Sequence, residues 1–188
     1  MGKPYNWKAI LKKLNIIDLD KTLIPFDSFR YYLLNLLWSI HFYRIIPLIF
    51  KRILKLSNET NFKESVVERA RKVKNYNKLL LKIKDESMFK INEDVLNLIR
   101  NNSDSNTINV ICSASPRDYV RYISDELGWK CLASDFIENN FVNMKGSNKI
   151  KYLRKFFPES EYSYNYSVSD SRDDLELLKL FKEYKLLS

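Results

Sequence analysis

The stretch Asn15-Ile16-Ile17-Asp18-Leu19-Asp20-Lys21-Thr22-Leu23 constrains this chain more than any other, because an apolar run ends there in two aspartates one residue apart and is soon cut by Pro25. Residues i and i+2 of a strand share a face, so both carboxylates can reach a pocket at the strand's carboxyl end. That edge is where open parallel sheets take their ligands. Alone, the stretch is equally an Asp-rich strand-to-helix turn with Asp20 or Thr22 as the N-cap. Only partner residues farther along the chain can decide between the two.

A length of 188 residues suits one domain with room for an inserted subdomain. Three glycines and five prolines leave no low-complexity linker, and no repeat of solenoid period is visible. Cys112 and Cys131 sit in apolar runs without metal-ligand spacing, which predicts buried free thiols in a reducing compartment. The first fourteen residues carry Lys3, Lys8, Lys12 and Lys13 but no apolar core or small-residue cleavage site, so no secretory signal is expected. Asn6 stands where a myristoylation motif after Gly2 wants Ser or Thr. The expected residence is cytoplasmic.

After the first strand, Asp27 or Ser28 would cap a run from Phe29 to Leu56 whose apolar residues are too dense for a simple surface helix. Asn35, Ser39, His41, Arg44 and Pro47 argue against a full bilayer span. The run predicts a pair of buried helices breaking near Pro47, or a segment lying in a membrane interface with Trp38, Phe42 and Tyr43 as anchors. His41, the single histidine, has no visible metal partner and reads as structural or interfacial. A second helical tract follows from Asn61 to about Glu86. Between Arg44 and Lys90, 13 Lys or Arg stand against 5 Asp or Glu, so nearly all of the formal charge of +9 is local. A solvated helical face is the plain reading, and attraction to anionic lipid or a phosphorylated substrate the alternative. With no nucleic-acid recognition module beside the charge, no nucleic-acid partner is expected.

Downstream, strands and helices alternate. Ile91 to Arg100 reads as a helix, Thr107 to Cys112 as a strand ending in Ser113-Ala114-Ser115-Pro116, and Arg117 to Leu127 as a helix stopped by Gly128. Lys130 to Ser134 is a third strand and Phe136 to Met144 a hairpin folded about Asn139-Asn140. A helix opens at Gly146-Ser147-Asn148-Lys149 and ends before Pro158. Tyr164 to Val168 is a fourth strand, finishing at Ser169-Asp170-Ser171-Arg172-Asp173-Asp174, with a helix from Leu175 and a last strand over Tyr184 to Leu187. The alternation predicts an α/β fold with a mostly parallel sheet and right-handed crossovers.

Four chain segments thus bring polar groups to one side: Asp18 and Asp20, Ser113, Lys149, and Asp170 with Asp173 and Asp174. In order and character they resemble the four motifs of the haloacid dehalogenase superfamily, over most of the chain. Ser113-Ala114-Ser115-Pro116 resembles the second motif of its phosphoserine-phosphatase-like subgroup. Leu23 to Phe29 and the apolar insert look most like the bacterial phosphatidylglycerophosphate phosphatases of that type. The resemblance implies a Rossmann-like core, 1–27 and 90–188, with a helical cap, 28–89, inserted after the first strand.

The same resemblance implies Mg²⁺-dependent hydrolysis of a phosphate monoester. Asp18 would be the nucleophile forming an aspartyl-phosphate, and Asp20 the general acid and base. Asp18, Asp170 and the main chain of Asp20 would hold the metal, as hard oxygen ligands among mutually repelling carboxylates require. Ser113, Thr22 and Lys149 would meet the phosphate, with Lys149 also offsetting charge in the transition state. Either Asp174 or Asp173 would orient the metal shell or Lys149, and Asp27 and Arg117 would stand on the substrate side. Dehalogenases of the superfamily lack the second aspartate, so Asp20 favours phosphate chemistry. Lys21 and Ser169 stand where glycine is commonest, but neither departure removes a functional side chain. The substrate would be a small phosphometabolite or a lipid phosphate. A peripheral membrane contact through residues 29–56 would put the protein at the inner face of the membrane. The competing reading is a catalytically idle protein of the same fold that binds a membrane or a protein partner through its basic, apolar cap.

Overall fold

The computed structural model describes residues 11–38 and 42–187. The expectations for the first ten residues and for His41 fall outside them. Six strands form one sheet in the order β4-β3-β2-β1-β5-β6: β1 (Lys12–Ile17), β2 (Thr107–Pro116), β3 (Lys130–Ile137), β4 (Asn140–Val142), β5 (Tyr162–Ser169) and β6 (Glu183–Leu186). All neighbours are parallel except β3 and β4, which form the hairpin.

The central strand β1 is buried from Leu14 to Ile17, because both faces of the sheet are covered there. Leu14 and Ile16 pack into one buried cluster with Val110, Cys112, Leu153 and Leu177, whereas Ile17 joins a second with Ile111, Val120 and Val168. Asn15, fully buried between them, is satisfied on every side. Its Oδ1 accepts from Tyr166 N and Asn165 Nδ2, and its Nδ2 donates to Asn102 O and Asn109 Oδ1. The bonds to Tyr166 and Asn165 fasten a bulge where the β1 to β5 register slips between Leu14 and Asn15. Cys112 and Cys131 are free thiols, both pushed up to about 12 by burial.

Among the described residues, 28–89 contribute four α-helices: α1 (Ser28–Leu37), α2 (Ile46–Ile53), α3 (Glu59–Ala70) and α4 (Tyr76–Phe89). Asp27 caps α1 by accepting from Arg30 N, and Asn58 and Asn92 cap α3 and the next helix, α5 (Glu93–Asn101), in the same way. The expected break near Pro47 comes earlier, because Pro47 sits in the first turn of α2, where its missing N–H costs nothing. Nor are both helices buried: Leu48 faces inward, but Phe50 and Ile53 are exposed. The basic tract is two helices rather than one, parted by Asn75 in the left-handed region at φ 66°. No helix among the described residues is long and apolar enough to cross a membrane.

Helices α6 (Arg117–Glu126) and α7 (Ser147–Phe156) follow β2 and the hairpin, and a single turn, α8 (Leu175–Leu178), precedes β6. Gly128, at φ 69°, ends α6 as read from the sequence. The hairpin turns one residue earlier than expected, on Glu138 and Asn139, which both have positive φ.

Candidate active site

Asp18 leaves the end of β1 on a hydrogen bond from its N–H to Val168 O, which keeps the chain in register with β5 for one residue past the strand. Its Oδ1 accepts from Lys149 Nζ at 2.8 Å, and the same ammonium donates to Asp174 Oδ2 at 2.6 Å. Ser169 Oγ holds that Asp174 oxygen from the other side at 2.8 Å. Gly146, at φ 55°, turns the chain into α7 so that Lys149, in its first turn, points inward and is only 3% exposed. A buried ammonium is tolerated because two carboxylates flank it. Burial alone would lower the Lys149 pKa, but Asp18 and Asp174 hold it above its ordinary value. Burial pushes Asp18 up to about 7 against the opposing pull of Lys149.

Asp20 lies on the same strand-end face yet has entirely different partners. Its Oδ1 accepts from Ser28 N and its Oδ2 from Ser115 Oγ, both at 2.6 Å. Ser28 Oγ lies 3.0 Å from both Ser115 Oγ and Tyr119 Oη, completing a buried hydroxyl chain. Burial raises Asp20 above the usual carboxylate range, and the Ser115 and Ser28 bonds partly offset it. Lys21, between Asp20 and Thr22, has φ 58°, the left-handed region that favours glycine.

A cavity of about 330 Å³ gathers Asp18, Asp20, Ser113, Lys149, Asp170 and Asp173, and its rim includes Asp27 and Asp174. Asp174, not Asp173, meets Lys149; Asp173 is exposed, with its N–H on Ser171 Oγ. Ser113 Oγ accepts from Ser115 N at 3.1 Å. Two of the residues read from the sequence do not line the cavity. Thr22 is fully buried beneath it, where its Oγ1 accepts from Asp170 N and reaches Asp170 Oδ1, so it positions that acid. The Arg117 guanidinium faces Asp135 in a neighbouring depression.

Sequence reasoning gave no role in the site to Ser115, Tyr119 or Lys63, and read Ser28 only as a candidate helix cap. Ser115 had a signal, since two serines separated by one residue at a strand end share a face as the two aspartates do. Lys63 of α3 had none, being one cation among thirteen. Its buried ammonium reaches across to Ala114 O and Asn143 Oδ1 and pairs with Glu59.

Among the described residues no three His, Cys, Asp or Glu side chains converge as a metal cluster. The cavity instead offers the carboxylates of Asp18 and Asp170 on two adjoining loops, with Asp20's own carboxylate occupied by Ser28 and Ser115. Two hard oxygen donors beside room for a phosphate fit Mg²⁺, which keeps several waters and seldom uses an all-protein cage.

A parallel sheet carrying its polar cavity at the carboxyl ends of β1, β2 and β5 places the molecule among Rossmann-like α/β proteins. Within that class it belongs to the haloacid dehalogenase-like hydrolases, whose family profile matches residues 16–179. Solved structures share the fold at low identity, among them the following three. A protein with unknown function from Bordetella pertussis Tohama I superimposes with a TM-score of 0.67 at 14% identity, over 93% of this chain and 89% of that one. A phosphoserine phosphohydrolase-like protein from Francisella tularensis gives 0.56 at 16%, over 92% and 85%. An HAD family hydrolase from Salmonella enterica gives 0.55 at 14%, over 91% and 61%. No curated protein sequence matches the chain significantly.

Proposed function

We propose that the protein is a Mg²⁺-dependent phosphate monoester hydrolase working through an aspartyl-phosphate on Asp18. What supports this above all is the division between Asp18 and Asp20, one residue apart and both raised in pKa by burial, yet one paired with an ammonium and the other with neutral donors. Paired carboxylates with divided environments are how one site runs nucleophilic and acid-base chemistry together. Asp18, oriented by Lys149, attacks phosphorus, and the bond from phosphorus to the ester oxygen breaks. Asp20, whose burial favours the protonated form, gives its proton to the departing alkoxide. Water then attacks the phosphorus of the acyl phosphate while Asp20 takes up a proton, releasing inorganic phosphate and freeing Asp18. Ser113 donates to a phosphate oxygen, and Lys149, held by Asp174, offsets the charge that builds on the transferring group. Asp18, Asp170 and the main chain of Asp20 would hold Mg²⁺, which would supply charge neutralisation for phosphate and nucleophile.

Helices α1 to α4, residues 28–89, serve in this reading as the cap over a core of 1–27 and 90–188. Glu59 and Lys63 of α3 already reach the cavity rim, and the cap selects what is attached to the phosphate. A small phosphometabolite suits the modest cavity. A lipid phosphate, as in the phosphatidylglycerophosphate phosphatases that the sequence resembles, is the second reading, favoured by the exposed apolar residues of α2.

Turnover of an aryl phosphate with and without Mg²⁺ tests the proposal. Asp18→Asn is expected to lower it by roughly 10³-fold or more, since a covalent route loses its nucleophile. Activity that is independent of metal or survives the substitution overturns the mechanism, and its complete absence from the wild type favours the idle, binding-only alternative.

A further inference from the structure

We propose that the outward face of α2 and the turn after it dock the protein peripherally on an anionic lipid surface. Phe50, Ile53 and Leu54 stand at i, i+3 and i+4, so they form one stripe of the helix, and they are 60%, 67% and 64% exposed, with Leu56 beyond at 74%. The opposite side holds Ile45 and Leu48 in the core, so the helix has its usual buried face and a second apolar face left exposed among the described residues. Isolated exposed apolar residues are ordinary, whereas a contiguous group marks an interaction site. Of the twelve large hydrophobic side chains exposed among the described residues, seven fall between Leu34 and Leu56. That concentration is regional rather than a scatter.

Charge identifies the occupant. Lys51, Arg52 and Lys55 border the stripe, all exposed, and none has a carboxylate partner among the described residues. Arg52 donates to Ser57 O. From Ser28 to Asn58 the chain contains no Asp or Glu, against five Lys or Arg. A second copy seated on this face would bring unpaired cations against their own images, so self-association is disfavoured. An anionic bilayer surface satisfies both halves at once, the apolar stripe entering the interfacial region and the cations meeting head groups. The exposed side chains of α2 do not line the cavity, so this surface goes beyond the hydrolase reading and stands or falls separately from it.

The test is co-sedimentation of the full chain with phosphatidylcholine vesicles containing about one third phosphatidylserine, and with phosphatidylcholine alone. Binding to the anionic vesicles at low salt, weakening as salt is raised, is expected. Ile53→Ser with Leu54→Ser, and separately Lys51→Glu with Arg52→Glu, should each cut the partition by roughly tenfold or more. Both variants should keep the wild-type circular dichroism and its turnover of a soluble aryl phosphate. The charge-reversed pair changes only exposed side chains, so it tests the surface even where the apolar pair proves unstable. Failure to bind, equal binding to neutral vesicles, or undiminished binding by folded variants overturns the proposal. A lipid-free dimer dissolved by the Ile53 and Leu54 substitutions overturns it too, and assigns the face to self-association. Vesicle binding by a chain that turns over no phosphate ester leaves the docking surface standing and sinks the hydrolase reading alone.

Discussion

Asp18 and Asp20 have the same side chain on the same loop, so hydrogen-bond partners alone divide their work. The direction of the hydroxyl chain behind Asp20 comes from counting protons. Once Asp20 has given up its proton, Ser115 donates its single O–H to the carboxylate, so Ser28 must donate to Ser115, and Tyr119 to Ser28. Three hydroxyls therefore point the same way and polarise one another toward the carboxylate. Ser115→Ala removes a bond to a charged acceptor, worth about 1.5 to 3 kcal/mol, and should slow formation of the acyl phosphate by roughly tenfold or more. The loss should be larger for an alkyl phosphate than for an aryl phosphate, because only a poor leaving group needs Asp20's proton. Tyr119→Phe, which leaves Asp20's direct partners in place, should show the same pattern more weakly. Single-turnover rates on the two ester types decide it, and equal losses on both would mean that the chain merely supports packing.

At the level of single elements, the hairpin shows how local backbone rules act against the residues present. Glu138 and Asn139 both occupy positive φ, at 51° and 66°, as a two-residue turn of the mirror-image type requires. Glutamate suits the first position poorly, whereas Asn-Gly is the favoured pair, so Glu138→Asn with Asn139→Gly should stabilise the protein by about 0.5 to 1 kcal/mol. The lost ion pair from Glu138 to Lys155 is exposed and subtracts little. A raised urea midpoint at unchanged slope is the readout, and a lowered one would show that the turn depends on contacts of Glu138. The same turn marks where the sequence was legible and where it was not. Strands β1, β2 and β5 were legible because short segments rich in aliphatic, β-branched or aromatic residues end abruptly in polar site residues, and with them came Asp18, Asp20, Ser113 and Asp170. The turn was misplaced by one residue because asparagine is the better left-handed residue, and Asn139-Asn140 outscored Glu138-Asn139. The division between α3 and α4 was missed for a related reason, since it falls at Asn75 with neither glycine nor proline to announce it. Thr22 and Arg117 were assigned by position in a motif. Where their side chains point is set by the loops opposite, Asp170 for one and Asp135 for the other, and no spacing along the chain encodes that.

For the molecule as a whole, the question is whether helices α1 to α4 are an independent unit or an extension of the sheet domain. One buried cluster runs from Ile17 and Ile111 of the sheet through Val120 and Ile123 of α6 to Tyr32, Val66 and Ile83 of the helical segment. Polar ties cross the same boundary: the Arg71 guanidinium and the Tyr76 hydroxyl both donate to Asp118, and Lys63 donates to Ala114 O. A shared core couples the stability of its two sides, so the helices should unfold with the sheet rather than before it. Ile83→Ala, at a fully buried position on α4, removes three carbons and leaves a cavity, which costs about 2 to 5 kcal/mol in well-packed cores. If the core is one unit, that loss appears equally in far-ultraviolet circular dichroism, dominated by the helices, and, in a Trp7→Phe background, in the fluorescence of Trp129, which packs against the cluster beside β3. Trp38 contributes little to the change because it is already exposed in the folded state. Both probes should give one coincident urea transition in the wild type and one in the variant, shifted together to lower denaturant. A variant in which the dichroism falls first while Trp129 reports an intact sheet would make the helical segment a separately folding lid, able to open over the cavity without disturbing Asp18.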